Sequence, residues 1–135
     1  MKIFFRNTLA VLVGIIVGSL VNITLVNIGP SVIPLPEGAN VSNMDDLRES
    51  MNLFTPANFI FPFLGHALGT LTGAFLAARV SVSLNRVFAI LVGVFFLAGG
   101  ISMVVMVGGP LWFIACDLLF AYLPMGYLGA RLAGK

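Results

Sequence analysis

The chain has 135 residues, 59% of them hydrophobic and 9% charged, with a formal net charge of +2 and a mean hydropathy of +1.08. A soluble domain carries roughly 25% charged residues, so this composition excludes a water-soluble globular protein and points to an all-α integral membrane protein. The Lys and Arg residues flank apolar runs as membrane anchors do and give no argument for nucleic acid, and the single Cys116 excludes an intramolecular disulfide.

A spanning helix needs about 20 mostly apolar residues. The 30 residues between Arg6 and Glu37 carry no formal charge and predict a first span over 8–28. Lys2 and Arg6 ahead of an apolar run resemble the start of a secretory signal. Ala10 to Ile28 is long, however, and no small-x-small cleavage site with a polar sequel follows it, so the segment reads as an uncleaved span.

Residues 29–56 form the one soluble-looking stretch. Pro30, Pro34 and Pro36 fix φ and lack an amide hydrogen, which predicts extended or turned chain. A short amphipathic helix over about 43–54 follows. Ser42-Asn-Met-Asp45 has capping-box spacing, Met44, Leu47, Met51 and Phe54 share one face, and Asp45 and Asp46 suit the positive end of the helix. Such a helix either lies on the outer membrane surface or covers an outward-facing cavity. Asn40-Val-Ser42 matches the N-glycosylation pattern, which has meaning only in a eukaryotic secretory route.

Charge-free runs between Glu49 and Arg79 and between Arg86 and Asp117 predict spans over 57–79 and 87–108. A fourth, over 111–131, reaches spanning length only by taking Asp117 into the bilayer. The four spans make one membrane domain over 1–135. Lys2, Arg6, Arg79, Arg86, Arg131 and Lys135 fall on one side, and the first loop holds Glu37, Asp45, Asp46 and Glu49 against Arg48 alone. Short loops rich in Lys and Arg stay cytoplasmic, so both termini are expected in the cytoplasm of a bacterial-type plasma membrane.

Two internal similarities suggest tandem helical hairpins related by a pseudo-twofold axis along the membrane normal. Ala10-Val-Leu-Val-Gly14 parallels Ala89-Ile-Leu-Val-Gly93, and Leu76-Ala-Ala-Arg79 parallels Leu128-Gly-Ala-Arg131. Small residues at every fourth position let two helices approach closely in lipid. Such ridges run through Ala10, Gly14 and Gly18, through Gly65, Gly69, Gly73 and Ala77, and through Gly126 and Ala130. They pack the helices within one chain or form a seam between copies, and their number favours a homo-oligomer.

Polar residues inside the spans carry whatever chemistry the chain has, because an ionisable group in hydrocarbon costs several kcal/mol unless partnered or hydrated. At ~1.5 Å per residue, His66 lies about 13 Å from the outer end of its span, and Asn22, Ser102 and Asp117 about 9 Å from theirs. Together they define one layer, with Thr70 a turn beyond His66. The repeat sets Asp117 against Gly65, beside His66, which makes a His–Asp pair in the bundle interior geometrically reasonable. Asp117 also reads as a buried structural acid, His66 as a satisfied core residue, and Thr70 and Thr72 as bonded to their own helix. Pro62 and Pro124 are expected to bend their spans.

No phosphate loop, Gly-x-Ser-x-Gly elbow or His-Glu-x-x-His occurs, and one His with one intramembrane Asp cannot supply the usual zinc ligands. No catalytic residue, metal or cofactor is assigned. Three functions remain open. The first is an oligomeric channel or transporter for a small solute or ion, with proton coupling at Asp117 and His66. The second is a scaffold subunit gripping another membrane protein, and the third an intramembrane lipid-modifying enzyme. The partners expected are the lipid bilayer, further copies of the chain, or another membrane protein.

Overall fold

The computed structural model describes residues 1–135 and contains helices, 3-10 turns and connecting loops. The helices are α1 (Lys2–Val32), α2 (Met44–Ser50), α3 (Ile60–Val80), α4 (Asn85–Val107), α5 (Leu111–Phe120) and α6 (Leu123–Leu132). Four helical stretches are long and apolar enough to cross a membrane: α1, Pro56–Val80, α4 and Leu111–Leu132, the last comprising α5 and α6. Their outward faces carry exposed leucine, isoleucine, valine and phenylalanine, the surface a lipid-facing bundle presents.

α3 is the central helix and packs against α1, α4 and α6. Its interface with α1 is built from glycine. A Cβ placed on Gly14 would stand 2.5 Å from the Gly73 carbonyl oxygen, and one on Gly73 would stand 2.5 Å from that of Gly14. Gly18 and Gly69 repeat this relation one turn on, at 2.6 and 2.7 Å. Main chain therefore touches main chain over two turns, the contact that dispersion alone can stabilise between helices in lipid. Around it lie the apolar core residues Ala67, Ala77, Val92, Phe96, Ala121 and Tyr122.

Both termini and the α3–α4 turn sit at one end of the bundle, here the terminal end. Arg6 Nε donates to the Val80 carbonyl, Asn7 bridges Ser83 Oγ and the Val82 amide, and Arg86 donates to the Lys135 carbonyl. The opposite, or loop, end carries α2 and the Gly108-Gly109-Pro110 turn, joined where Arg48 Nε donates to the Met106 carbonyl at 3.1 Å.

Helix boundaries differ from the expected ones for local reasons. α1 continues through Pro30 to Val32 instead of ending at 28, so the start of the 29–56 segment is helical. Pro30 removes only one intrahelical donor, and Ile33 N–H still reaches the Gly29 carbonyl at 2.8 Å. The helix ends because Pro34 forces the preceding Ile33 into extended geometry, φ −118° and ψ 97°. α2 is shorter than 43–54, and its cap is Asn43 in place of Ser42. Asn43 Oδ1 accepts from the Asp46 amide at 2.9 Å, while the Ser42 hydroxyl turns back to Asn40 Oδ1. A 3-10 turn over Met51–Leu53 completes the segment.

Pro62 lies in the first turn of α3, where no intrahelical donor is missing. The fourth span is broken at Ala121–Tyr122. Pro124 cannot donate to the preceding turn, so the helix stops and restarts with proline in the first turn of α6, where the Gly126 amide reaches the Tyr122 carbonyl at 2.8 Å.

One residue is held against its preference. Leu84, preceding α4, has φ +48° and ψ +35°, a left-handed conformation, and its side chain is 66% exposed. Leucine there costs roughly 1–2 kcal/mol relative to glycine. Leu84→Gly is expected to stabilise the protein by about 1 kcal/mol in thermal or SDS-induced unfolding. Unchanged or reduced stability would show that contacts of the leucine side chain outweigh its backbone.

Candidate functional site

Near the loop end α1, α3, α4 and α5 splay around a cavity of about 360 Å³, and α2 with its flanking turns forms the roof. The walls are mainly apolar: Val26 and Ile33 from α1 and its C-cap, Phe61 from α3, Met103 and Val104 from α4, Phe113 and Ile114 from α5. Leu47, Met51 and Phe54 of the roof face the same space, so the short amphipathic segment covers a cavity. Its entry is braced by an aromatic cluster in which Phe59 packs on Phe54, Trp112 and Phe113, with ring centroids 5.5, 5.5 and 4.6 Å apart. Asn58 ties this corner to α1 by donating to the Pro34 carbonyl at 3.1 Å.

The ionisable side chains lining this cavity are His66 and Asp117. His66 Nδ1 lies 2.7 Å from Asp117 Oδ1, and the Tyr122 hydroxyl donates to Asp117 Oδ2 at 2.9 Å. An ionised Asp117 thus accepts one bond on each oxygen, and its side chain is only 5% exposed. The His66 ring stacks on the Tyr122 ring with centroids 5.8 Å and planes 27° apart, and its Nε2 makes no protein hydrogen bond. The Thr70 hydroxyl donates to the His66 carbonyl at 2.7 Å, so Thr70 is bonded to its own helix and does not join the pair.

Chemically, this is a carboxylate–imidazole pair. A carboxylate behind the imidazole fixes the ring and its tautomer, while the second ring nitrogen stays available to whatever enters the cavity. Beneath it the bundle is closed, because Tyr122, Val92 and Thr70 are fully enclosed. Packed side chains therefore bound the cavity on its terminal side, and α2 with its flanking turns covers it on the loop side.

Compared with protein-family models, with curated proteins and with solved structures, the chain matches none. The reading of the site rests on its geometry.

The other members of the expected polar layer stand apart from the pair. Ser102 lies on the exposed face of α4 and donates to the Ala98 carbonyl at 2.9 Å, since one helical residue of offset rotates it away from the interior. Asn22 sits in the α1–α3 interface with a buried Oδ1 that has no conventional donor. That oxygen would lie 2.8 Å from a Cβ on Gly65, so it faces the Gly65 Cα–H, a weak donor that only glycine offers in that direction. Gly126 meets Gly93, the Cβ direction of each pointing 3.4–3.5 Å from the other's Cα.

Tyr122 and Gly100 were not legible as site residues. In an unbroken helix residue 122 would point about 140° around the axis from residue 117, and only the break at Ala121–Tyr122 brings the hydroxyl back to Asp117. Gly100 is required because a Cβ there would overlap the Tyr122 hydroxyl. Pro124, two residues beyond the tyrosine, was the available sequence signal. Groups of three or more His, Cys, Asp or Glu side chains suited to a metal ion do not occur in the fold.

Proposed function

We propose that this chain is a small multi-pass membrane carrier that admits a solute from the loop end and couples its movement to a proton held by His66 and Asp117. The observation that carries the reading is the pair's position: a hydrogen-bonded His–Asp unit on the wall of a covered apolar cavity near the loop end, with packed side chains beneath it. A carrier needs such a one-sided site, and a permanent pore does not. The apolar walls select a solute with an apolar body and one polar end, which reaches His66 Nε2.

The asymmetry of basic residues supports a terminal end in the cytoplasm and a loop end outside, and we read the membrane as a bacterial-type plasma membrane. The tandem-hairpin reading is supported by the glycine contacts: Gly14 meets Gly73 in the first hairpin and Gly93 meets Gly126 in the second. These ridges are used inside the chain, so the carrier reading does not require an oligomer. A second reading, an enzyme using His66 as general base, is favoured by the carboxylate behind the imidazole. It requires the substrate to bring its own nucleophile, because no Ser, Thr, Cys or Lys lines the cavity.

Cysteine accessibility tests the carrier. In a Cys116→Ala background reconstituted in vesicles, Met103→Cys on the cavity wall is expected to react with a membrane-impermeant maleimide from either side as the site alternates. Reaction from the loop side alone rejects a carrier and leaves a binding protein or enzyme.

A further inference from the structure

A second cavity, of about 440 Å³, lies beside the first at the loop end, and Met51, Phe54, Phe59 and Val107 line both. A wall of four apolar side chains therefore separates them. The outer cavity holds one charged residue, Arg48, and no carboxylate among its ten lining residues. Arg48 is the only Lys or Arg at this end of the molecule, and the loop around it carries Glu37, Asp45, Asp46 and Glu49. Even so, no carboxylate lies within ion-pair distance of it, the His66–Asp117 pair being the one such contact in the fold. Asp46 instead accepts from Asn40 and Asn43 at 2.8 and 2.9 Å.

The guanidinium is not loose. Its Nε–H is fixed on the Met106 carbonyl at the end of α4, which leaves the two Nη groups with no protein acceptor. Planar, oriented N–H donors of this kind match the oxygens of a carboxylate or phosphate. Gly109, Pro110 and Trp112 on the opposite wall mark the N-terminal end of α5, where the helix dipole adds positive potential of the same sign. Trp112 is half-exposed at the mouth, where an indole suits the boundary between headgroups and hydrocarbon.

On the carrier reading above, we infer that the solute is an organic anion with an apolar body, captured first by Arg48 in the outer cavity and then passed inward to His66. The shared chemistry is a compact phosphate or carboxylate joined to an alkyl chain. The anionic head docks on the Arg48 Nη groups, the chain lies against Met51, Phe54 and Phe59, and inward movement exchanges the arginine for a protonated His66 Nε2. This gives the two ionic sites distinct tasks: Arg48 selects charge at the mouth, and the pair supplies the co-transported proton at the floor.

Trp112 is the only tryptophan in the chain, so its fluorescence reports on this cleft directly. The full chain in phosphatidylcholine nanodiscs is titrated with octyl phosphate, 1-octanol and inorganic phosphate. Octyl phosphate is expected to shift the emission saturably, with 1-octanol and inorganic phosphate each at least about tenfold weaker, as loss of one charge-assisted contact or of the apolar body implies. Arg48→Gln is expected to weaken octyl phosphate about tenfold and Arg48→Lys by less, since lysine keeps the charge and loses the fork. Arg48 is exposed, and an unchanged unfolding midpoint for both variants separates binding from folding. Equal binding by Arg48→Gln, or equal binding of 1-octanol, overturns the anion site. Equal binding of inorganic phosphate overturns the amphiphile and leaves a free-anion site.

These outcomes are separable from the carrier reading. Arg48-dependent binding together with one-sided labelling of Met103→Cys keeps the anion site and removes the carrier. Two-sided labelling with Arg48-independent binding does the reverse.

Discussion

Asp117→Ala is expected to lower stability by about 2–6 kcal/mol, from about 1–3 kcal/mol for each donor stranded, and to abolish proton-coupled transport. The two groups are the Tyr122 hydroxyl and His66 Nδ1, both within 2.9 Å of the carboxylate and neither with another protein acceptor. Asp117→Asn separates the two effects. The amide keeps the shape of the side chain and one acceptor, so most of the stability is retained, but it can no longer hold a proton with His66. SDS-induced unfolding reads the first quantity, and acidification of a vesicle lumen driven by octyl phosphate reads the second. Undiminished acidification with Asp117→Asn rejects the assigned role of the pair. Equal stability of wild type and Asp117→Ala would show that the three side chains are not mutually dependent.

The second large effect lies away from the cavity. Gly73→Leu is expected to destabilise the protein by about 3 kcal/mol or more, the upper end of overpacking costs. The added atoms would meet the Gly14 carbonyl oxygen, 2.5 Å from the Cβ position. That oxygen is main chain of α1 and cannot rotate away, so the two helices must part and lose the dispersion contact that holds them. Gly99→Ala is the matched control. No atom lies within 4 Å of a Cβ at Gly99, and the change is expected to cost nothing and to raise stability by up to about 1 kcal/mol, the difference between Ala and Gly inside a helix. A loss at Gly73 no greater than at Gly99 would mean that the α1–α3 contact contributes little to holding the bundle together.

The positions of the helices were legible because burial in hydrocarbon is an averaged property of long segments. Runs of about 30 residues without a charge leave few alternatives to four helices, and local chemistry then moves the ends by a few residues. Pro30 illustrates the limit. It reads as a helix stop, yet it removes a single donor near the end of α1, and the stronger steric effect of Pro34 on Ile33 sets the boundary. The cap of α2 moved by one residue for a similar reason, since Ser42 and Asn43 both offer capping oxygens and Asn40 engages the first.

The polar layer was legible only in part. Depth along a helix follows from counting at a fixed rise, so His66 and Asp117 could be set at similar levels from sequence. Rotation about the axis does not follow so directly. An error of one residue turns a side chain by about 100°, which is why Ser102 lies on the exposed surface and Asn22 in a glycine contact. Tyr122 shows the converse, an interior partner delivered by a helix break whose angle depends on how α6 packs against α3 and α4.

The sequence by itself determined the number of spans, the asymmetry of charge between the two ends, the small-residue ridges and the presence of one acid and one imidazole at comparable depth. Each of these depends on composition or on spacing along one helix. Only the tertiary structure decided which ridge meets which, that Tyr122 completes the Asp117 contact, that α2 roofs one cavity, and that Arg48 stands unpaired in the cavity beside it. Those relations join residues far apart in the chain, and they are fixed by how helices rotate and cross when their backbones come into contact.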